Sequence, residues 1–299
     1  MIKIRILLIS LLILLTGTNG NLWCRQAEYI QKEDIIYGRK DGLALTMDVF
    51  QPDKPSGIGV LVIISGGWTS SHNKIKAEWL ERIKQLLNHG QTVFAIVHSS
   101  SPKYKVPDIK NDIDRAVRFV RFHSSEWGID QNRIGIVGES SGGHLSLLQA
   151  AKGTEGNPQS KDSVDMVSSK VEAVACFFPP VDLTAFGLQG INVLSNPKYQ
   201  HFILALTTNP KDTVELMRTA SEVSPIHYLT GAMPPTLIIS GSADRTIPVE
   251  QSKLLAKRLE ELGIPHRLEI REGKDHGWPD IAADYNIVAD WFNQYLPNK

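Results

Sequence analysis

Short runs of apolar, often β-branched residues alternate with amphipathic stretches along most of this chain. That alternation predicts a mainly parallel sheet covered by helices on both faces. The pattern opens differently. Ile35-Ile36-Tyr37 and residues 44–50 alternate with period two around Lys40-Asp41-Gly42, which predicts an antiparallel hairpin at the sheet edge. Continuous apolar runs at 59–65, 92–97, 133–137, 171–178 and 236–240 predict buried strands, and 266–271 a last one. Helical periodicity covers 76–88, where Trp79, Leu80, Ile83, Leu86 and Leu87 share one side and Lys or Glu the other. It returns at 108–127, with Ile109, Ile113, Ala116, Val117 and Val120 inward, and at 142–151, 249–263 and 281–295. Residues 152–170 read as a polar loop.

The regular order breaks between 183 and 233, where Pro, Asn, Thr and single aromatics replace the alternation around one predicted helix at 213–221. This stretch is expected to be a cap-like insertion over the carboxyl ends of the strands of one α/β domain, 21–299. The first twenty residues follow another plan. Lys3 and Arg5 precede the apolar run 6–15, and small residues end at Gly20. This is the build of a secretory signal peptide cleaved after Gly20, which predicts a secreted or periplasmic protein; an uncleaved anchor is the other reading. Bulky Trp23 before Cys24 argues against lipid attachment.

Composition narrows the function classes. Lys+Arg and Asp+Glu are equal at 32 each, so the chain carries no electrostatic footprint for nucleic acid or an anionic membrane. Of two cysteines, Cys176 lies in the apolar run Val174-Ala175-Cys176-Phe177-Phe178 and reads as a buried small hydrophobe. A Cys24–Cys176 bridge stays open in an exported protein.

The candidate chemistry centres on Gly138-Glu139-Ser140-Ser141-Gly142-Gly143, directly after the strand 133–137 and before a helix. Strand, glycine-flanked serine and helix make the Gly-x-Ser-x-Gly turn that presents a nucleophile at a sheet edge. The pattern alone is weak, since a random chain of this length matches it roughly one time in ten. Its context strengthens it. Asp244 follows the strand 236–240 and His276 follows 266–271, each in a turn at a carboxyl strand end, where open α/β sheets bind ligands.

The order Ser140, Asp244, His276, with each residue beyond a strand, resembles the α/β-hydrolase superfamily. The chain is most similar to its secreted bacterial esterase/lipase branch, near dienelactone-hydrolase-like and prolyl-oligopeptidase-like catalytic domains. The resemblance implies an eight-stranded, mostly parallel sheet and a nucleophile, acid and base at these three positions. It also implies an oxyanion loop at Ser65-Gly66-Gly67-Trp68, whose amides at Gly66, Gly67 or Trp68 act with that of Ser141. Ser65 departs from the histidine usual in that loop.

These residue types imply a serine-dependent carboxylic-ester hydrolase working through an acyl-enzyme on small or sugar-borne acyl esters. Neither a metal nor an organic cofactor is called for. A serine peptidase of the prolyl-oligopeptidase type and a non-catalytic binding module on the same fold stay open. So does Asp182, which also follows a strand, as the acid. His98 and Trp278 are pocket candidates along with Asp182. Glu139 is expected to be buried or at the pocket edge, His144 to serve packing or hydrogen bonding, and Asp275 to cap a loop. Phe177 and Phe178 are expected in the core.

Overall fold

A computed structural model describes residues 29–185 and 200–298. The predicted leader, Cys24 and residues 186–199 of the predicted insertion lie outside them. Eight strands form one sheet: β1 (Tyr29–Lys40), β2 (Leu43–Pro52), β3 (Gly59–Ile64), β4 (Thr92–Val97), β5 (Ile134–Glu139), β6 (Ala173–Phe177), β7 (Thr236–Gly241) and β8 (His266–Arg271). Their spatial order is β1-β2-β4-β3-β5-β6-β7-β8. The β1–β2 hairpin is antiparallel, β2 pairs antiparallel with β4, and every later pair is parallel. The edge hairpin and the parallel core are therefore as the alternation predicts.

The central strands are apolar throughout because both their faces are covered. On β3, Val60, Val62 and Ile64 join one core cluster, while Leu61 and Ile63 join the other. On β4, Val93 and Ala95 take the first side, and Phe94 and Ile96 the second. The first cluster is closed by α1 (Leu80–Asn88) and α7 (Ile281–Tyr295), which pack on each other. The second lies under α2 (Val106–Phe122), α3 (Ser141–Lys152) and α6 (Val249–Glu261).

Two helices depart most from expectation. The helix predicted over 76–88 begins with a π-helical turn, Ile75–Trp79, that buries both of its end residues. The one predicted over 108–127 stops at Phe122, and a 3₁₀ turn, Ser124–Trp127, follows. His123-Ser124-Ser125 are weak helix formers, and Gly128 then takes the left-handed conformation at φ 65°, which ends the element.

Of the predicted insertion, the described part contains α4 (Gln200–Leu206), α5 (Thr213–Glu222) and a 3₁₀ turn at Pro225–Tyr228. Asp212 caps α5 by accepting from the amide of Glu215. Cys176 is a buried free thiol whose Sγ donates to the Leu237 carbonyl, and burial raises its pKa. Among the described residues no helix is long and apolar enough to cross a membrane.

Candidate active site

The turn from β5 into α3 shows why its glycines are needed. A Cβ on Gly138 would lie 2.4 Å from the carbonyl carbon of Gly142, and one on Gly142 would lie 2.8 Å from the carbonyl oxygen of Ile63. Strand and helix can approach this closely only without side chains. Between them Ser140 adopts φ 54°, ψ −120°, a conformation that L residues rarely occupy. Its amide donates to Phe177 O at 2.9 Å and its carbonyl accepts from the His144 amide at 2.9 Å, so the strained turn is held from both sides.

Two further strand ends converge on Ser140. His276 Nε2 lies 2.9 Å from Ser140 Oγ, and His276 Nδ1 lies 2.8 Å from Asp244 Oδ2. The other oxygen of Asp244 accepts from the amides of Thr246 and Ile247, both at 2.8 Å. With both of its oxygens engaged, the buried Asp244 carboxylate has one orientation. It accepts from Nδ1–H, which leaves the lone pair of Nε2 facing the serine hydroxyl. The neighbouring Asp275 accepts from the amides of Arg245 and His276 and from the Arg245 guanidinium, and these donors hold its carboxyl well below the usual carboxylate range. It fastens the loop, as expected, and takes no part in the Ser–His–Asp chain.

The cavity around this chain measures about 410 Å³ and is lined by Ser65, Gly66, Gly67, Lys74, Glu78, Trp79, Arg82, Glu139, Ser140, Phe178, His201, Phe202, Thr246, His276 and Gly277. A larger cavity of about 630 Å³ between β1 and α2 contains none of the three convergent residues. Chemistry, not size, singles out the smaller one.

Several expectations need correction. Gly66 cannot serve as a free oxyanion donor, because its amide donates to Thr69 O at 2.9 Å while Thr69 N donates back at 3.1 Å. The amides of Gly67, Trp68 and Ser141 have no acceptor among the described residues, but Trp68 turns its ring into the core. Only Gly67 among the three loop residues combines a free amide with a place in the cavity wall. His98 is not a pocket residue: it is buried, its Nδ1 meets Ser99 O at 2.6 Å, and burial lowers its pKa to about 4. Asp182 does not face the site. Its Oδ1 accepts from Thr184 N, Thr184 Oγ1 and Ala185 N, an Asx turn that consumes the carboxylate locally. Trp278 is buried behind the site, donating from Nε1 to Asp284 and packing on Phe177 and Phe178.

Phe178 belongs to the core, as expected, and also forms part of the cavity wall. Its backbone takes φ 36°, and its ring lies 4.5 Å from the His276 ring, centroid to centroid. Glu139 lines the cavity as a paired carboxylate, held by Arg82 and by the hydroxyl of Tyr285 at 3.1 Å. Burial still pushes its pKa up, against the pull of Arg82. Lys74, Glu78, Arg82 and His201 carried no signal in the sequence, because each reaches the site from a helix or loop whose register only tertiary packing decides. The sole metal-like grouping of His and carboxylates among the described residues, Asp34, Asp48 and His72, lies outside this cavity.

Comparison with known proteins agrees with the fold. The BD-FAE family model matches residues 47–259. The "Probable carboxylic ester hydrolase LipM" of Mycobacterium tuberculosis (strain ATCC 25618 / H37Rv) is 28% identical over 239 residues, covering 79% of this chain and 53% of that protein. The esterase LipQ of the same organism is 28% identical over 272 residues, covering 89% and 62%. The chain thus spans little more than half the length of these curated relatives. Among solved structures, a truncated carbohydrate esterase from gut microbiota superimposes with a TM-score of 0.76 at 24% identity, over 91% of this chain and 98% of the other. The fold is that of the α/β-hydrolases.

Proposed function

The chain belongs to the BD-FAE family, and from that premise we propose that it is a serine-dependent carboxylic-ester hydrolase acting through an acyl-enzyme. The single observation that carries the reading is the continuous chain from Ser140 Oγ through the two nitrogens of His276 to Asp244, with spacings of 2.9 and 2.8 Å. His276 takes the serine proton as Oγ attacks the ester carbonyl and returns it to the leaving alcohol. Asp244 holds the imidazole tautomer and stabilises its charged form. The developing oxyanion sits between the amides of Gly67 and Ser141, the latter in the first turn of α3, where the helix dipole favours negative charge. Water then repeats the sequence on the acyl-enzyme.

Small or sugar-borne acyl esters suit the cavity. The lining sets the charged Lys74, Glu78, Arg82 and Glu139 beside the aromatic Trp79, Phe178 and Phe202. Such a lining favours short acyl groups and hydroxyl-bearing alcohols over long alkyl chains. The apolar run 6–15 behind Lys3 and Arg5 supports export as the setting.

A fluorophosphonate probe tests the reading. Stoichiometric labelling mapped to Ser140, absent in Ser140→Ala, is the expected result. Folded wild-type protein that stays unlabelled, or labelling at another serine, would overturn it.

A further inference from the structure

Two side-chain hydrogen bonds join the loop after β3 to the helix that follows the nucleophile. Ser65 Oγ lies 2.9 Å from Ser141 Oγ, and Trp68 Nε1 donates to His144 Nδ1 at 3.2 Å. Each spans 76 residues of sequence, so loop and helix run in step, three residues apart on both sides. Around the second tie, Gly66 and Thr69 close the turn with reciprocal backbone bonds, and Gly67 and Trp68 occupy left-handed conformations at φ 59° and 57°.

All four side chains are shielded from water, at 7% exposure for Ser65, 1% for Ser141 and 0% for Trp68 and His144. The Trp68–His144 tie, once lost, is not replaced by solvent, because both residues are fully buried. His144 is itself fixed. Because Nδ1 accepts from Trp68, Nε2–H donates to Val223 O at 2.7 Å, beyond the end of α5. The Trp68 ring is also gripped edge-on by His144 and by Phe202 of α4, with centroids 5.4 and 5.3 Å away.

Among the described residues the amides of Gly67, Trp68 and Ser141 have no acceptor, and they come from these two separate segments. Close packing of Gly142 on Ile63 O sets how near the segments approach. It does not fix how one slides along the other, which the two directional bonds do. The Ser65 hydroxyl finds its partner in the hydroxyl of Ser141.

We propose that Ser65 and Trp68 are positioning residues for ester cleavage, whose bonds to Ser141 and His144 hold the Gly67 and Ser141 amides at the separation the oxyanion requires. The inference rests on the ester-hydrolase reading and adds to it the device that sets the donor geometry. Neither side chain touches the reacting atoms.

The test compares Ser65→Ala, Trp68→Phe and the double variant on p-nitrophenyl acetate. Displacing a donor by a fraction of an ångström or more should lower kcat by about 10- to 100-fold with KM changed by less than about two-fold. Fluorophosphonate labelling of Ser140 should slow in parallel. Ser65→Thr, which keeps the hydroxyl, should recover most of the rate, and the double variant should lose less than the product of the single losses. Folded Ser65→Ala and Trp68→Phe that melt lower yet keep wild-type kcat would overturn the proposal, because the ties would then serve stability alone. If Trp68→Phe does not fold, Ser65→Ala, which removes one oxygen, decides by the same kcat criterion. Ser140→Ala separates the two levels. Loss of turnover there with normal kcat in Ser65→Ala overturns the clamp and keeps the hydrolase, whereas full turnover in Ser140→Ala overturns the hydrolase.

Discussion

Asp244 meets His276 Nδ1 at 2.8 Å, while Asp182, equally placed after a strand, turns its carboxylate onto Thr184 and Ala185. The two acids therefore separate cleanly by mutation. Asp244→Asn should lower kcat by about 10⁴-fold, because the amide presents a donor to Nδ1 and selects the wrong tautomer. Asp182→Asn should leave kcat within a few-fold. Steady-state kinetics on p-nitrophenyl acetate checks both, and the reverse ranking would move the acid to Asp182.

Glu139 and Arg82 form an ion pair at the cavity edge, with side chains 13% and 18% exposed. Removing one partner strands a largely buried charge. Arg82→Met should cost about 3 kcal/mol in urea unfolding, and Arg82→Met/Glu139→Gln should cost less than the sum of the two single changes. Additive losses would show that the two groups act independently.

His98 and His144 are buried and neutral, each with its pKa lowered by burial from 6.5 to about 4. A depressed base favours the fold while it stays neutral in both states. The stabilisation is thus complete above about pH 6.5 and is lost as pH falls toward 4. The difference is worth up to about 3 kcal/mol per histidine. The stability gap between wild type and His98→Asn, measured by urea unfolding at pH 7.5 and 4.5, should narrow toward acid by that order. A gap independent of pH would contradict the neutral, buried state.

Glycine substitutions should divide by place. Gly138→Ala drives a Cβ to 2.4 Å from backbone and should abolish labelling of Ser140 or prevent folding, whereas Gly231→Ala meets nothing within 4 Å and should be silent in melting temperature and rate. Equal melting curves for both would show that strand and helix have room to separate.

How much of this was legible beforehand follows from the range of each interaction. The strands, the antiparallel entry and the Ser140–Asp244–His276 order were readable, because period, glycine placement and strand-end position are local signals. The oxyanion loop was readable as a segment, yet Gly66 was misassigned, since its bridge to Thr69 is turn geometry that no residue type announces. His98 and Trp278 stand beside the right strands but point into the packing around them, and Phe178, a core residue as its sequence context predicts, also meets the His276 ring, a contact no local signal announces. Arg82, Lys74 and His201 enter from elements whose orientation depends on the whole fold. The ties from Ser65 and Trp68 to α3 lie 76 residues apart in sequence and were invisible for the same reason.

The central claim is that Ser140 is the nucleophile. Its most direct test is p-nitrophenyl acetate turnover by the wild type and by Ser140→Ala, with both shown to be folded. The expected loss is roughly 10⁴- to 10⁶-fold in kcat. An unchanged rate in Ser140→Ala would contradict it.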